Sequence, residues 1–279
     1  MLRKIPYSLV VVTLLGYSVM PGRFDRQANA ASAPVNTGTG VHISFVDEQG
    51  NPASQLYVLG NKVRVESSAM RGGGAIYDAH SHSMTILIPE RHAYMVLDQK
   101  SAAAMGAQLQ DAQKQLQSRL SSLPPDQRAM VEKMLTQHGN TDGKTQTTVK
   151  QLGSSETIAG HRCQDMQLIS NGKPGPTMCV APLASLGIPA GDIDTLDAMR
   201  VDMMHMMSHM GPMTQAYSTM QNVDGFAIKR EVPHREGFKL VLGTETLKSI
   251  STGNPAASLF EIPADYKETS MQQMMQGKG

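Results

Sequence analysis

Residues 41–97 read VHISFVDEQGNPASQLYVLGNKVRVESSAMRGGGAIYDAHSHSMTILIPERHAYMVL, and this stretch decides the fold class. Within and just beyond it, VHISFVDE, QLYVLG, KVRVESS, AIYDAH, SMTILI and HAYMVLD alternate apolar and polar residues with the period of a strand. Between these runs stand Gln49 to Pro52, Gly60-Asn61, Gly72 to Gly74 and Pro89-Glu90, whose Gly, Asn and Pro residues supply turn geometry. Short strands joined by short turns run antiparallel, because a parallel neighbour needs a crossover of about a dozen residues or more. Alternation also assigns faces. Val63 and Val65 share one, as do Met84, Ile86 and Ile88, while Arg64, Glu66, Thr85 and Leu87 point the other way. A single-sided sheet buries the first set and leaves the second wet, with Leu87 as an exception that alternation does not explain.

Further along the chain the period changes. Met105, Leu109, Ala112, Leu116, Leu120 and Leu123 recur at three and four, one face of a helix that Pro124-Pro125 ends. Met130, Val131, Met134 and Leu135 form the inner face of a second helix. This helical insertion, at about 101–138, is expected to cover one face of the sheet. After the polar loop HGNTDGKTQ, strands are expected near 145–152, 154–159, 161–170 and 176–181. A helix near 192–210 and strands from about 215 to 263 complete the chain. Strands resume after each helical insertion without βαβ alternation, so the expected class is α+β with one antiparallel sheet.

The chain has two cysteines, in HRCQDMQLISNGKPGPTMCV. Ser170-Asn171-Gly172 suits a three-residue hairpin loop, with glycine at the position that needs positive φ. Pairing Ile169 with Lys173 then sets Cys163 opposite Cys179. The same register puts Met166, Leu168, Met178 and Val180 on one face and both cysteines on the other, polar one. A structural disulfide between Cys163 and Cys179 is the expectation, since there is no C-x-x-C and no neighbour that would lower a thiol pKa.

The Met and His cluster at 199–213 carries the most suggestive chemistry. Thioether sulfur and imidazole both suit copper, and Cu(I) or Ag(I) would be held by Met206, His209 and Met213. At about 100° per residue, however, Leu196, Met199, Met203, Met206, Met207 and Met210 make one broad stripe, with Asp202, His205 and His209 beside it. That is the pattern of an amphipathic helix packing methionine inward, and core packing without a cofactor is the first expectation. His80, His82 and His92 do not make a metal site. His82 and the position facing His92 are five strand residues apart, roughly 16 Å at about 3.3 Å each.

At the N terminus, Arg3 and Lys4 precede an apolar run from Leu9 to Leu15, and Ala28-Asn29-Ala30 follows. This is the order of a secretory signal peptide over residues 1–30, too short in its apolar part to span a bilayer, which takes roughly 20 apolar residues. A single domain over 31–269 and a flexible tail over 270–279 are expected to follow. The product would be periplasmic or secreted, with no transmembrane span in the mature protein. A net charge of +1 gives no long-range field for nucleic acid, and no clustered basic patch supplies one locally. Methionine is used 21 times and tryptophan never, so flexible thioethers fill gaps that aromatics fill elsewhere. There is no G-x-S-x-G, H-E-x-x-H or G-x-x-x-x-G-K, and no cysteine in a nucleophile motif.

The segments YVLGNKVRVES, IYDAHSHSMTILIPERHAYMVLD, GSSETIAGHRCQDMQL and SLFEIPADYK together resemble the exported DUF4412 family. Members of that family are similar to the lipoprotein-carrier half-barrels of the LolA/LolB type. The resemblance implies a curved antiparallel sheet wrapped around helices, and it carries over no catalytic residue. The expected function is therefore noncatalytic binding of an apolar ligand, such as a lipid, or of a protein segment on a concave sheet face. A copper or silver binding protein and an envelope structural or interaction protein are the alternatives.

Overall fold

The computed structural model describes residues 39–70, 72–124, 126–128, 147–208, 225–236, 239–270 and 273–274. The leader expected at 1–30, the second helix of the insertion, His209, Met210 and Met213 lie outside the described residues.

The alternating stretch folds as a six-strand meander: β1 (Val41–Val46), β2 (Pro52–Leu59), β3 (Lys62–Ser67), β4 (Gly74–Asp78), β5 (Ser83–Ile88) and β6 (Ala93–Leu97). Helix α1 (Gln99–Ser121) follows. A second antiparallel run comprises β7 (Thr147–Ile158), β8 (His161–Ser170), β9 (Lys173–Ala181), β10 (Phe226–Glu236) and β11 (Lys239–Thr252), with helix α2 (Ala190–Ser208) between β9 and β10. The two runs join where β1 pairs with β11, Val41 opposite Thr252. A short final strand, β12 (Lys267–Glu268), lies parallel to β6. The result is one open twelve-stranded sheet in the order β12-β6-β5-β4-β3-β2-β1-β11-β10-β9-β8-β7.

Turn chemistry sets the registers. Asn171 and Gly172 both have positive φ, which a two-residue hairpin turn of the primed kind requires, so Ser170 pairs with Lys173 and Ile169 with Pro174. The three-residue loop expected at 170–172 is corrected accordingly. An irregularity between Gln167 and Ile169 shifts the ladder again, so that Asp165, not Cys163, stands opposite Cys179. The two strands expected near 145–152 and 154–159 are one strand, β7, interrupted by a bulge between Gln151 and Ser155.

One face of the sheet packs on α2. Val63, Val65, Met84, Ile86 and Ile88 are buried there as alternation requires, together with Leu196, Met199, Met203, Met206 and Met207 of the helix. Helix α1, the described part of the insertion, covers less of the sheet than the insertion was expected to. Helix α1 touches β6 and α2, whereas α2 is the helix that lies on β2 and β3. Ala112 of the expected α1 stripe is exposed and Met105 only half-buried. Asp98 caps α1 through a reciprocal box, accepting from Ser101 N at 2.7 Å while its own amide donates to Ser101 Oγ at 2.8 Å.

The reverse face is not wet throughout. Ile76, Leu87 and Phe260 form a separate buried cluster with Tyr94, Leu259 and Tyr266 packed against it. The segment leading to β12 therefore covers β4 and β5 from behind, which accounts for Leu87. It also buries Arg64, whose guanidinium bonds Glu66 at 3.0 Å and the Leu259 carbonyl at 3.4 Å, so the expected solvent exposure of Arg64 is corrected. Gly74 makes room for this side chain: a Cβ there would stand 2.6 Å from the Val65 carbonyl oxygen and 3.2 Å from Arg64 Nε. Of the tail expected at 270–279, only residues 270, 273 and 274 are described. Gln273 N donates to Ser270 Oγ and Ser270 N to Gln273 Oε1, and Met274 packs against the main core.

Candidate functional site

Helix α2 begins after Pro189, whose carbonyl accepts from the amides of Asp192 and Ile193. Its buried apolar residues Leu196, Met199, Met203, Met206 and Met207 follow the three-and-four spacing seen in the sequence, so beyond the first turns, where Asp192 and Thr195 are also buried, its inward face is mostly thioether. Such side chains adapt to irregular surfaces at low rotamer cost, a property shared by promiscuous binding faces. Met206 is 1% exposed and sits in the main core cluster. His205, on the polar side, is exposed.

Hydrogen bonds at Thr195 and at Asp202 fasten the helix to the sheet. Thr195 Oγ1 donates to the Gly60 carbonyl at the β2–β3 turn, 3.0 Å away. Near the other end of the helix, Asp202 Oδ2 accepts from the Tyr77 hydroxyl at 2.5 Å and from His82 Nδ1 at 2.8 Å. With the carboxylate oxygen as acceptor, His82 Nδ1 is the donor, and the rest of this ring is exposed. Burial pushes the Tyr77 phenol pKa far above its ordinary value, and the hydrogen bond to Asp202 and that residue's charge push it further. Tyr77 is thus a permanent donor here rather than a titrating acid. His82 holds a left-handed backbone at the β4–β5 turn, φ 51°. His92, φ 45°, stands in the β5–β6 turn, its Nδ1 bonded to Asp265. The two imidazoles serve different anchors, and among the described residues no three His, Cys, Asp or Glu side chains converge on a metal position.

Cys163 and Cys179 are bonded, with their Cα atoms 5.3 Å apart. Their placement corrects the expected polar outer face. Both belong to the main core, 2% and 1% exposed, while Met166, Leu168, Met178 and Val180 form a second cluster with Ala227 and Val232. Strand alternation separates these sets as expected, but both faces of β8 and β9 are covered.

A second polar centre was not legible in the sequence. Arg230 and Glu245 pair at 2.9 Å with side chains 6% exposed. Ser54 donates to the same Glu245 oxygen at 2.7 Å, and the guanidinium lies 4.4 Å from the centre of the Phe45 ring. These residues come from β2, β10, β11 and β1, and no local pattern links them. Beside the pair opens a cleft of about 260 Å³ lined by Asp47, Glu48, Val232, Leu242, Thr244 and Glu245 among others. Its rim is the β1–β2 turn. Asp47 Oδ1 there accepts from the amides of Gln49 and Asn51, and Glu48 Oε1 accepts from Thr244 N at 3.2 Å. Desolvation acts to raise the Asp47 pKa, but the hydrogen bonds from Asn51, Gln49 and Gly50 outweigh it and hold the carboxyl below its ordinary value.

Among solved structures, an uncharacterized conserved protein from Thermus thermophilus matches at 10% identity with a TM-score of 0.37, covering 84% of this chain and 91% of the other. PNGF-II matches at 8% identity with a TM-score of 0.35, over 86% of this chain and only 33% of PNGF-II. No curated protein matches the sequence. Residues 120–266, more than half of the chain, match the family model described as a domain of unknown function (DUF4412), and the chain belongs to that family.

Proposed function

We infer that this protein is an exported, noncatalytic binding protein, periplasmic or secreted, that takes an apolar ligand such as a lipid, or an apolar protein segment, on the sheet face now occupied by α2. The observation that carries this reading is the make-up of that contact: Met199, Met203, Met206 and Met207 are buried against the strands. An apolar chain can replace the thioether contacts of Met199, Met203, Met206 and Met207 without leaving polar groups of those side chains unpaired. The fastenings at Thr195 and Asp202 involve few side chains, so displacing the helix would break few polar contacts. A half-barrel of the LolA type is the shape in which such a face would enclose its ligand. The buried disulfide accords with an oxidising compartment, and among the described residues no helix is long and apolar enough to cross a membrane.

Native mass spectrometry of the protein purified from its own envelope tests this reading. A bound mass removed by organic extraction, and restored by adding lipid back, is the expected result. Recovery of ligand-free protein that also fails to take up lipid would count against it. The copper or silver reading rests on Met206, His209 and Met213, and it predicts a bound metal mass instead. The burial of Met206 among core side chains favours the apolar reading. A protein partner retained without lipid or metal would support the envelope interaction role.

A further inference from the structure

On the reverse face, the cover from Ala257 to Glu268 is held at few points. Phe260 alone of its residues is buried, packed with Ile76 and Leu87, while Leu259 and Tyr266 are half-buried and the rest are exposed. Its strand β12 is two residues long: Lys267 N donates to the His92 carbonyl at 2.9 Å, and Thr269 N just beyond it to the Tyr94 carbonyl at 2.8 Å. Asp265 accepts from His92 Nδ1 at 2.5 Å, but both side chains are exposed and water competes for the pair. The cover also satisfies Arg64 poorly. Its Leu259 carbonyl accepts from Nη1 at a long 3.4 Å, and the buried Nε has no acceptor among the described residues. Lifting the cover lets water reach that donor, so one cost of the closed state is removed on opening. On the approach from β11, the last tie is Gly253 N to the Gly40 carbonyl at 3.1 Å, and residues 251–254 and 256 are exposed. The chain can swing there without baring apolar surface of its own. Beyond β12, Met274 is only half-buried.

We propose that this segment is an exchangeable strap, and that its seat on the meander takes the same segment of a second copy of the chain. The contacts that seat it run between the strap and residues of the meander: Phe260 with Ile76 and Leu87, Asp265 with His92, and β12 with the outer side of β6. An identical strap from a neighbour makes all of them, which is what an exchange between copies requires. β6 offers its edge to whichever chain supplies the strand. The seat is nonetheless selective. A segment without an aromatic side chain at the position of Phe260 leaves Ile76 and Leu87 uncovered, and one without a carboxylate five residues further on leaves His92 without its partner. This surface lies on the side of the sheet away from α2, so the inference does not rest on the apolar-ligand reading.

Competition on the full chain tests the proposal, with a fluorescent peptide of residues 254–274 followed by anisotropy. The parent chain should bind the peptide saturably but weakly, because the resident strap occupies the seat most of the time. Phe260→Ala in the chain should tighten the peptide by at least about tenfold, since a weakened resident leaves the seat open more often. The same substitution in the peptide should weaken its binding by at least about tenfold. Phe260→Ala in the chain also bares Ile76 and Leu87, which endangers folding, so Asp265→Ala in the chain is the second variant. It loses only an exposed pair and should tighten the peptide by about twofold to fivefold. Light scattering on the concentrated parent should show a dimer fraction that excess peptide converts to monomer. The proposal is overturned if the peptide saturates on neither chain variant, if Phe260→Ala in the peptide costs nothing, or if the concentrated parent stays monomeric.

Discussion

The two halves of the sheet solve the same problem differently. In β1 to β6, strands of five to eight residues are held between two covers, α2 on one face and the segment from Ala257 to Glu268 on the other. In β7 to β11, the strands run to fourteen residues and three of the four ladders carry register shifts. There the apolar cover is joined by discrete links: the Cys163–Cys179 bond, the buried Arg230–Glu245 pair and a Lys229–Glu156 pair at 2.8 Å. Most of β7, at the free end of the strand order, is exposed. A short strand between two apolar layers is specified by area, whereas a long strand with bulges needs point contacts to hold one register. The family match begins within α1 and takes in all of the second half, so it covers the point-linked region rather than the meander.

The largest expected effect attacks a point contact. Arg230→Ala leaves Glu245 buried beside Ser54 without its cation, and it should destabilise by about 3 to 5 kcal/mol in chemical denaturation. Met203→Ala strikes where α2 meets the sheet and should cost about 2 to 5 kcal/mol, as large-to-small core changes do. Hydrogen exchange on that variant should show protection falling in β2 and β3, which α2 touches, more than in β8. Replacing both cysteines by alanine should cost on the order of 3 kcal/mol, the chain-entropy value for a loop of this size. Exchange should then loosen β8 and β9 while β3 to β5 stay protected. Equal loosening of both halves would erase the contrast drawn between them.

Smaller effects sharpen the comparison. Asp98→Ala should cost about 1 kcal/mol, because Ser101 N loses its acceptor at the start of α1. The backbone and side-chain hydrogen bonds from Ser101 hold the Asp98 pKa below its unfolded value. Its contribution is therefore complete above the unfolded value, near pH 4, and disappears as pH falls through the folded one. The Asp98→Ala variant should lose less stability than the parent over that acid range. Least affected should be His205→Ala, within about 0.5 kcal/mol, since the side chain is exposed on the outer side of α2. A loss above about 2 kcal/mol there would mean that the polar side of α2 is held by a partner.

The disulfide is a test of how far local pattern reaches. Alternation in CQDMQLIS and PTMCV correctly separates the cysteines from Met166, Leu168, Met178 and Val180, and proximity in one hairpin makes the bond legible. Which face is covered was not legible, because that depends on β1, β10 and α2 arriving from elsewhere in the chain. The methionine stripe of α2 was legible for the same reason as the strands: a period shorter than the element repeats inside it several times. Asp202 showed only as a polar neighbour of that stripe. Its partners Tyr77 and His82 lie 125 and 120 residues away, and no periodicity spans such a distance.

What the residues determined by themselves is thus local: the antiparallel meander, the inward sets on β3 and β5, and the inward methionine stripe of α2. Periodicity and turn chemistry act over a few residues, and those are the scales on which they constrain the chain. The tertiary structure alone decided that β1 joins β11 from the far end of the chain, that Phe260 and Leu259 give Leu87 and Arg64 a second cover, and that Ser54, Arg230 and Glu245 share one buried centre beside an acidic cleft. Each of these joins segments that carry no mark of one another, and they meet because burying both faces of the sheet and pairing its buried charges lowers the free energy of the whole.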